Sequence, residues 1–283
     1  MLYFSSSLCY TQAMNNKNLN TVDFKNNDFY FLYLKREHMD LGYTREKWQE
    51  HSFYEIMFTV EGESEYVIEN RKYTVKKGDV LLIKPAAYHY KHRVIKKEVS
   101  IYCLGFLPEA ISNGGLAETV FERGEHFAVG ECSPIEDILS ALRKKVSQTK
   151  NNLASFLKSA AEATILLLAD LSEKNEKTPE IKNAAVQRML NFINENLPEI
   201  RKVSDIAKAT FFSDSYARTL FKKEMNIGIM EYVRNKKVLL AHRKIRHGKK
   251  PTEIYAECGF SNYPSFYRAY LSYLGYSPRE QKV

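Results

Sequence analysis

The chain has 283 residues, of which 44% are apolar and 27% charged, a composition that supports a sizeable buried core and excludes global disorder. No stretch approaches the roughly 18 uninterrupted apolar residues of a membrane helix. The net charge of +8 is concentrated at one end, because the segment from Glu180 onwards holds 19 basic and 10 acidic residues. Such a basic domain favours a polyanionic partner, with a solvated lysine face as the alternative.

The cysteines and the first residues bear on where the chain works. The four cysteines are Cys9, Cys103, Cys132 and Cys258. Their spacing fits neither a zinc motif nor a dense disulfide framework. The apolar start has no basic flank ahead of it, so we expect no signal peptide, and the chain begins at either Met1 or Met14. We therefore expect a cytoplasmic protein without a membrane partner.

Short strands are predicted between residues 53 and 107. The first runs from Phe53 to Val60, is rich in aromatic and β-branched residues, and leads into a turn at Gly62. Further strands are predicted at 66–68, 73–75, 80–83 and 100–106. Short strands at intervals of about ten residues are typical of a β-sandwich or barrel.

From Pro134 the apolar period changes from that of strands to that of helices. One helix begins there, and a second is predicted from Leu153 to Leu171, before a polar linker. The apolar faces of these helices either pair with a second subunit or pack against the β domain of the same chain. The residues concerned are Ile135, Ile138, Leu139, Leu142, Val146, Leu157, Ile165 and Leu168.

The last part of the chain contains a degenerate internal repeat. Ser204-Asp205-Ile206 recurs 48 residues later as Thr252-Glu253-Ile254, and Phe212-Ser213 recurs as Phe260-Ser261. Each copy predicts a helix-turn-helix. Ser204 and Thr252 are expected to cap the first helices, and Ser213 and Ser261 the second.

In the first unit the second helix is predicted at 214–225, and a joining helix follows at 229–246. The chain is thus predicted to have an α+β fold with two domains. Residues 1–131 form an N-terminal arm and a β barrel, residues 132–178 form connector helices and a linker, and residues 179–283 form an all-α domain with two helix-turn-helix units.

The two units contain a recognisable set of residues. In the second unit they are Ile254, Glu257, Cys258, Gly259, Phe260, Ser261, Asn262, Phe266, Tyr267, Arg268, Ala269, Gly275, Ser277, Pro278, Arg279 and Glu280. The first unit and the joining helix add Ile206, Ala207, Ser213, Tyr216, Leu220, Phe221, Lys222, Lys223, Glu224, Tyr232, Val233, Arg234, Ala241 and Arg243. In this order and spacing they resemble the AraC/XylS family of bacterial transcription regulators. The chain departs from the family pattern at Phe211, Ala217, Tyr255 and Pro264, although proline is tolerated in the first turn of a helix.

The resemblance implies a sequence-specific transcription activator that works as a homodimer, with double-stranded DNA and RNA polymerase as partners. Two recognition helices would enter successive major grooves about one helical turn (~34 Å) apart. The positions carried over to DNA contact are Ser215, Tyr216, Arg218, Thr219, Lys222, Tyr263, Ser265, Tyr267 and Arg268. Arg218 and Arg268 are expected to read guanine, with a phosphate contact or a surface ion pair as the alternative. Ser215 and Ser265 are expected to contact either bases or phosphates, and Lys222 to bind phosphate. Tyr216 and Tyr267 either contact DNA or pack inside the domain.

The β domain contains two groups of residues spaced as in the two motifs of cupins, namely His51, Glu55 and Gly62, then Gly78, Pro85 and His89. This resemblance implies a jelly-roll barrel of the kind that forms the arm and sensor domain of the same regulator family. Gln49 occupies the position of the first metal-binding histidine of catalytic cupins, so we predict no metal and no other cofactor. His51, Glu55 and His89 would still form the set of two histidines and one carboxylate that holds iron, which keeps a metal-dependent enzyme as an alternative.

The barrel is instead predicted to sense a small molecule, with a sugar as the candidate, because aromatic faces and a few polar anchors suit such a ligand. The residues predicted to line the pocket are Tyr43, Trp48, His51, Tyr54, Glu55, Tyr88 and His89. The same residues also suit a barrel without a ligand, in a regulator controlled by its abundance or by a protein partner. The sequence has no nucleophile elbow and no phosphate-binding glycine loop, so no catalytic residue and no enzyme activity are predicted.

Overall fold

The computed structural model of the protein describes residues 20–36, 42–43, 51–131, 133–149, 151–171, 179–246 and 248–279. The chain forms two compact units that divide between Glu180 and Ile181. The first contains the β-sheets and the second is helical, which confirms the predicted α+β class. Within these ranges, every helix is too short or too polar to cross a membrane.

The first unit is built from two antiparallel sheets. Its strands are β1 (Asn20–Lys25), β2 (Phe29–Arg36), β3 (Gly42–Tyr43), β4 (Tyr54–Glu61), β5 (Glu63–Ile68), β6 (Arg71–Lys76), β7 (Asp79–Ile83), β8 (His89–Val94), β9 (Val99–Phe106) and β10 (His126–Ala128). The larger sheet has the order β1-β2-β9-β4-β7-β10, and the smaller contains β6-β5-β8-β3 in that order. The strands predicted between 53 and 106 are confirmed, whereas β1, β2, β3, β8 and β10 were not predicted.

The larger sheet is buried on both faces, and strand alternation assigns its residues to two cores. Along β4, Ile56 and Phe58 face one core, whereas Met57 faces the other, which lies between the two sheets. Glu55 alternates with Ile56, so it shares the face of Met57. A carboxylate thus points into the space between the sheets.

Helices cover the outer face of the larger sheet. A short 3-10 helix (Pro108–Ala110) and α1 (Gly114–Arg123) precede α2 (Pro134–Gln148) and α3 (Leu153–Ala169). The predicted helix positions are confirmed for α2 and α3, whereas α1 was not predicted. Leu139 and Leu168 are among the connector residues that are fully buried in the core shared with the sheet. The structure shows that these apolar faces pack within the chain, and their pairing with a second subunit stays a prediction.

The second unit begins at Ile181, the last residue of the short strand β11 (Glu180–Ile181). Its helices are α4 (Ala184–Glu195), α5 (Val203–Ala209), α6 (Asp214–Met225), α7 (Ile229–Arg246), α8 (Pro251–Ile254) and α9 (Tyr263–Leu274). The helices predicted at 214–225 and 229–246 are confirmed to the residue.

Three of the four predicted helix caps were wrong by one or two residues. Lys202 and Lys250 stand at the cap positions of α5 and α8, so Ser204 and Thr252 lie inside the helices. Both helices start earlier than the repeat suggested, and α8 begins at Pro251, whose fixed φ suits a first helical position. The cap of α9 is Asn262 rather than Ser261, and only Ser213 caps as predicted.

Candidate nucleic-acid interface and barrel site

The first helix-turn-helix unit presents an exposed row of polar side chains on α6. Ser213 caps this helix, and its hydroxyl accepts a hydrogen bond from the backbone N–H of Tyr216 at 3.2 Å. Ala217 and Phe221 are fully buried, which fixes the face that points inward. The five residues that sequence analysis assigned to DNA contact are all exposed, namely Ser215, Tyr216, Arg218, Thr219 and Lys222.

The environment of these side chains suits a partner outside the chain. Tyr216 is 48% exposed, and its ring lies beside that of Phe212, with ring centroids 5.1 Å apart. Arg218 and Lys222 lie beyond salt-bridge distance of every carboxylate in the part of the chain that the structure describes. Two exposed cations one helical turn apart, without a carboxylate of their own, are available to phosphates and base edges.

The second unit offers a smaller exposed set on α9. The side chain of Asn262 accepts a hydrogen bond from the backbone N–H of Ser265 at 2.9 Å. Arg268 is exposed, and it lines a groove of about 550 Å³ together with Ser265 and with Arg234 of α7. Of the four residues of α9 that were predicted to contact DNA, Arg268 is the exposed one.

Two tyrosines of α9 have more buried positions. The ring of Tyr263 packs against Tyr255 and Phe266, with centroid distances of 5.9 and 5.7 Å, and its hydroxyl is buried. Tyr263 thus belongs to the packing of the unit and does not present its hydroxyl to DNA. Tyr267 is half-buried beside it, at a centroid distance of 6.3 Å.

A buried lysine that sequence analysis missed holds the turn of the second unit. Lys237 of α7 donates to the carbonyl oxygens of Ile200 and Gly259, at 2.5 and 3.0 Å. Arg201 also donates to the Gly259 carbonyl and, at 2.7 Å, to that of Pro198. Because Lys237 stands in a strongly basic helix, no sequence pattern separates it from the solvated lysines around it.

In the β domain, His51, Glu55 and His89 converge between the two sheets. Their exposed fractions are 6%, 7% and 6%. Nε2 of His51 lies 2.8 Å from Oε2 of Glu55, and Nε2 of His89 lies 3.9 Å from the same oxygen. The two imidazole centroids are 5.0 Å apart. The structure thus brings together three residues that are up to 38 positions apart in the sequence.

Burial and mutual charge set the protonation of this cluster. Burial would raise the pKa of Glu55, but a hydrogen bond with His51 and the electrostatic interactions with both histidines outweigh it and lower that pKa to about 2. Burial, together with the charge interaction with His51, lowers the pKa of His89 to about 4. At neutral pH the cluster therefore contains a carboxylate and a neutral His89.

Of the other residues predicted to line a pocket, Tyr54 does not join this cluster. Tyr54 lies on the opposite face of β4 and packs under α1, with its ring 4.7 Å from that of Phe121. Tyr88 is buried directly before β8. Tyr43 pairs with Arg93 in the strand register, but its side chain lies outside the described residues, as does the whole of Trp48.

Tyr30 lies beside the cluster and was missed by the sequence analysis. Its ring lies against Gly105, where a Cβ would overlap with the ring, and its centroid is 6.1 Å from that of His51. In the strand register, Tyr30 and Glu55 both pair with Gly105 and so share one face of the sheet. Glycine on β9 is therefore required for the tyrosine to approach the histidine.

Both units match known families. Residues 33–166 match the AraC-like ligand binding domain, and residues 206–282 match a helix-turn-helix domain. Together the two matches span most of the chain in the order in which the two units occur.

Relatives of similar length are transcription regulators. The uncharacterized HTH-type transcriptional regulator YfiF of Bacillus subtilis (strain 168) is 25% identical over 243 residues, which cover 81% of this chain and 76% of the relative. The Msm operon regulatory protein of Streptococcus mutans serotype c is 25% identical over 238 residues, covering 80% and 82% of the two chains. Among solved structures, unsaturated fatty acid bound wild-type ToxT from Vibrio cholerae strain SCE256 is 14% identical, covers 91% of this chain and 95% of its own, and has a TM-score of 0.38.

Proposed function

We propose that this chain is an AraC-type helix-turn-helix transcription regulator rather than an enzyme, and that it reads operator DNA through α6 and α9 under the control of a small molecule bound in its β domain. The observation that supports DNA binding is the row of exposed polar side chains on α6. There, Arg218 and Lys222 lack a carboxylate partner among the described residues, while the opposite face of the helix is fully buried.

The arginines of the two recognition helices have a different role in binding from the other polar residues. Arg218 and Arg268 read guanine, because a guanidinium donates two hydrogen bonds to guanine O6 and N7. Lys222 and the hydroxyls of Ser215 and Thr219 bind phosphate and set the register of the protein on the duplex.

The β domain supplies the control. Glu55 and the two histidines offer polar anchors between the sheets, and a sugar or another small polar molecule is the effector class that suits them. The effector must bind one functional state better than the other in order to change DNA affinity or transcription. The regulator acts in the cytoplasm as a homodimer on paired half-sites and activates transcription through RNA polymerase.

Replacement of one arginine and one lysine tests the division of roles. Arg268→Ala should weaken binding to the operator by about 1–3 kcal/mol and relax the preference at one base position. Lys222→Ala should weaken binding to all sequences alike and reduce the slope of log affinity against log salt by about one. Fluorescence anisotropy with operator and scrambled duplexes over a salt series measures both effects. If Arg268→Ala weakens both duplexes equally, Arg268 binds the backbone and the assignment of base reading is wrong.

A further inference from the structure

The turns of the two helix-turn-helix units are built alike, and each ends at a phenylalanine. The backbone N–H groups of Phe212 and Phe260 each donate to the carbonyl oxygen five residues earlier, at 2.8 and 3.0 Å. The ring of Phe212 lies beside Tyr216 of α6, and that of Phe260 lies beside Phe266 of α9, with centroid distances of 5.1 and 5.3 Å. Each phenylalanine is therefore held by its turn at the start of a recognition helix.

In each unit, the helix that precedes the motif places an arginine beside this phenylalanine. In the first unit, Cζ of Arg188 in α4 lies 5.1 Å from the ring centroid of Phe212. In the second unit, Arg234 of α7 and Phe260 line the same groove of about 550 Å³. Both arginines lie in the second turn of their helix, and both are exposed. The same arrangement thus occurs twice in the domain.

The charges of these two arginines are not balanced within the chain. Among the described residues, Arg188 and Arg234 lie beyond salt-bridge distance of every carboxylate, including that of Glu231, which lines the same groove as Arg234. A guanidinium stays charged at all relevant pH values and carries five N–H donors in one plane, which match two oxygens of a phosphate. The contact with Phe212 restrains the guanidinium of Arg188 without using these donors.

The positions of the arginines relative to the recognition helices indicate their partner. A recognition helix contacts base edges with its N-terminal residues, and the sugar-phosphate strands run along the edges of the groove that it enters. Phe212 directly precedes Ser213, the cap of α6, so Arg188 lies at the end of α6 that approaches DNA. Arg234 shares its groove with Ser265 and Arg268 of α9, which are both predicted to contact DNA.

We propose that Arg188 and Arg234 each bind a phosphate of the operator backbone beside the recognition helix of their own unit. The inference rests on the proposed function and adds two contacts from outside the recognition helices. Phosphate contacts position a protein on the duplex and carry no sequence information, so both arginines add affinity and fix how α6 and α9 lie in the groove. Phe212 is a positioning residue, because it acts on DNA through Arg188. Arg188 also lies outside the matched helix-turn-helix domain, which begins at residue 206.

The salt dependence of DNA binding by the full-length chain tests the two arginines. The probes are a duplex of about 30 base pairs that carries the motif selected from random DNA, and a scrambled duplex of the same length. Arg188→Ala and Arg234→Ala should each weaken binding to both duplexes about 3- to 10-fold and reduce the slope of log affinity against log salt by about one. Glu231→Gln removes a negative charge from the groove and should strengthen binding to both. Lys97→Ala, in the exposed loop between β8 and β9, is the control for loss of one charge and should leave the slope unchanged.

Neutralisation of single phosphates locates the contacts. In a series of selected duplexes, each duplex carries one uncharged methylphosphonate in place of a phosphate, and the wild type should lose affinity at a limited set of positions. One of these positions should become insensitive in Arg188→Ala, and a different one, beside the other element, in Arg234→Ala. Phe212→Leu keeps an apolar side chain but removes the aromatic ring, and it should weaken the sensitivity at the same position as Arg188→Ala. A purely structural role of Phe212 would leave the pattern of sensitive phosphates unchanged.

The outcomes decide the proposal for each arginine. A reduced salt slope together with the loss of one sensitive phosphate supports the assignment. The assignment is wrong for an arginine whose variant keeps the wild-type slope, or whose variant leaves every sensitive phosphate sensitive. If the selection yields no motif, sequence-specific operator binding fails, but the salt slopes on the scrambled duplex still show whether the two arginines bind phosphate. Failure of this inference is thereby distinguished from failure of the proposed function.

Discussion

The two helix-turn-helix units differ most at one equivalent position in their turns. Phe211 occupies it in the first unit and Gly259, 48 residues later, in the second. Both have left-handed backbones, with φ of +62° and +84°. Phe211 is 94% exposed, whereas a Cβ at Gly259 would overlap with the Pro198 carbonyl and lie 2.7 Å from Nζ of Lys237.

The two turns separate two requirements that Gly259 meets at once. The left-handed conformation is needed by both turns, and it is strained for any residue with a side chain. The absence of a side chain is needed only where the turn packs closely, and that is the case only in the second unit. The first unit accepts a strained aromatic residue, because its turn faces solvent.

The largest effect is expected from Gly259→Ala. The left-handed backbone and the overlap with a backbone carbonyl should together lower the free energy of unfolding by about 2–5 kcal/mol. Gly248→Ala is the matched control, because Gly248 also has a φ of +84° but, among the described residues, no atom beyond its chain neighbours lies within 4 Å of an added Cβ. Its free energy of unfolding should fall by only about 1–2 kcal/mol. Urea unfolding followed by circular dichroism measures both. Equal losses would show that close packing adds nothing at Gly259.

An intermediate effect is expected from Lys237→Met. The Ile200 carbonyl loses its lysine donor, which should lower stability by about 1–3 kcal/mol. Burial, with the nearby charge of Arg201 as the second cause, lowers the pKa of Lys237 to about 8 from 10.5. Between these two values the unfolded chain binds more protons than the folded one, so the wild type should gain stability as the pH rises from about 8 to 10.5.

The methionine variant should lack this gain. The measurement is therefore the difference in unfolding free energy between wild type and Lys237→Met, taken at several pH values from 7 to 10. The difference should grow above pH 8. A difference that stays constant with pH would mean that Lys237 keeps an ordinary pKa in the folded state.

The smallest effect, and one of opposite sign, is expected from Phe211→Gly. Relief of the left-handed strain should stabilise the folded state by more than the greater entropy of glycine in the unfolded chain destabilises it. The net gain in the free energy of unfolding should be about 0.5–1 kcal/mol. Phe211→Ala keeps the strain and should leave stability nearly unchanged. Thermal unfolding of the two variants checks this. If Phe211→Gly destabilises the protein, the phenylalanine ring makes contacts that its exposure does not suggest.

What the sequence predicted well was local. The helices α6 and α7 follow from apolar period and from a serine cap, both of which are encoded within a few neighbouring residues. The caps at Ser204, Thr252 and Ser261 were wrong because the repeat fixed their alignment, whereas the helix ends depend on Lys202, Pro251 and Asn262.

In the β domain, the prediction of the site from the sequence was limited because the site depends on pairing between distant strands. The spacing of His51, Glu55 and His89 led to their grouping, and the structure brings them together. Tyr54 was grouped with them although it neighbours Glu55 on one strand, and alternation sends it to the opposite face. Tyr30 was missed because its place beside His51 depends on the pairing of β2 with β9, and no local pattern reports that register.

Selection of binding sites from random duplex DNA by the purified chain, at near-physiological salt, tests the central claim most directly. Two recognition helices that both read bases predict a motif of two short elements about ten base pairs apart. Enrichment of one element alone would show that α9 no longer reads bases, and the absence of any enriched motif would contradict sequence-specific operator binding.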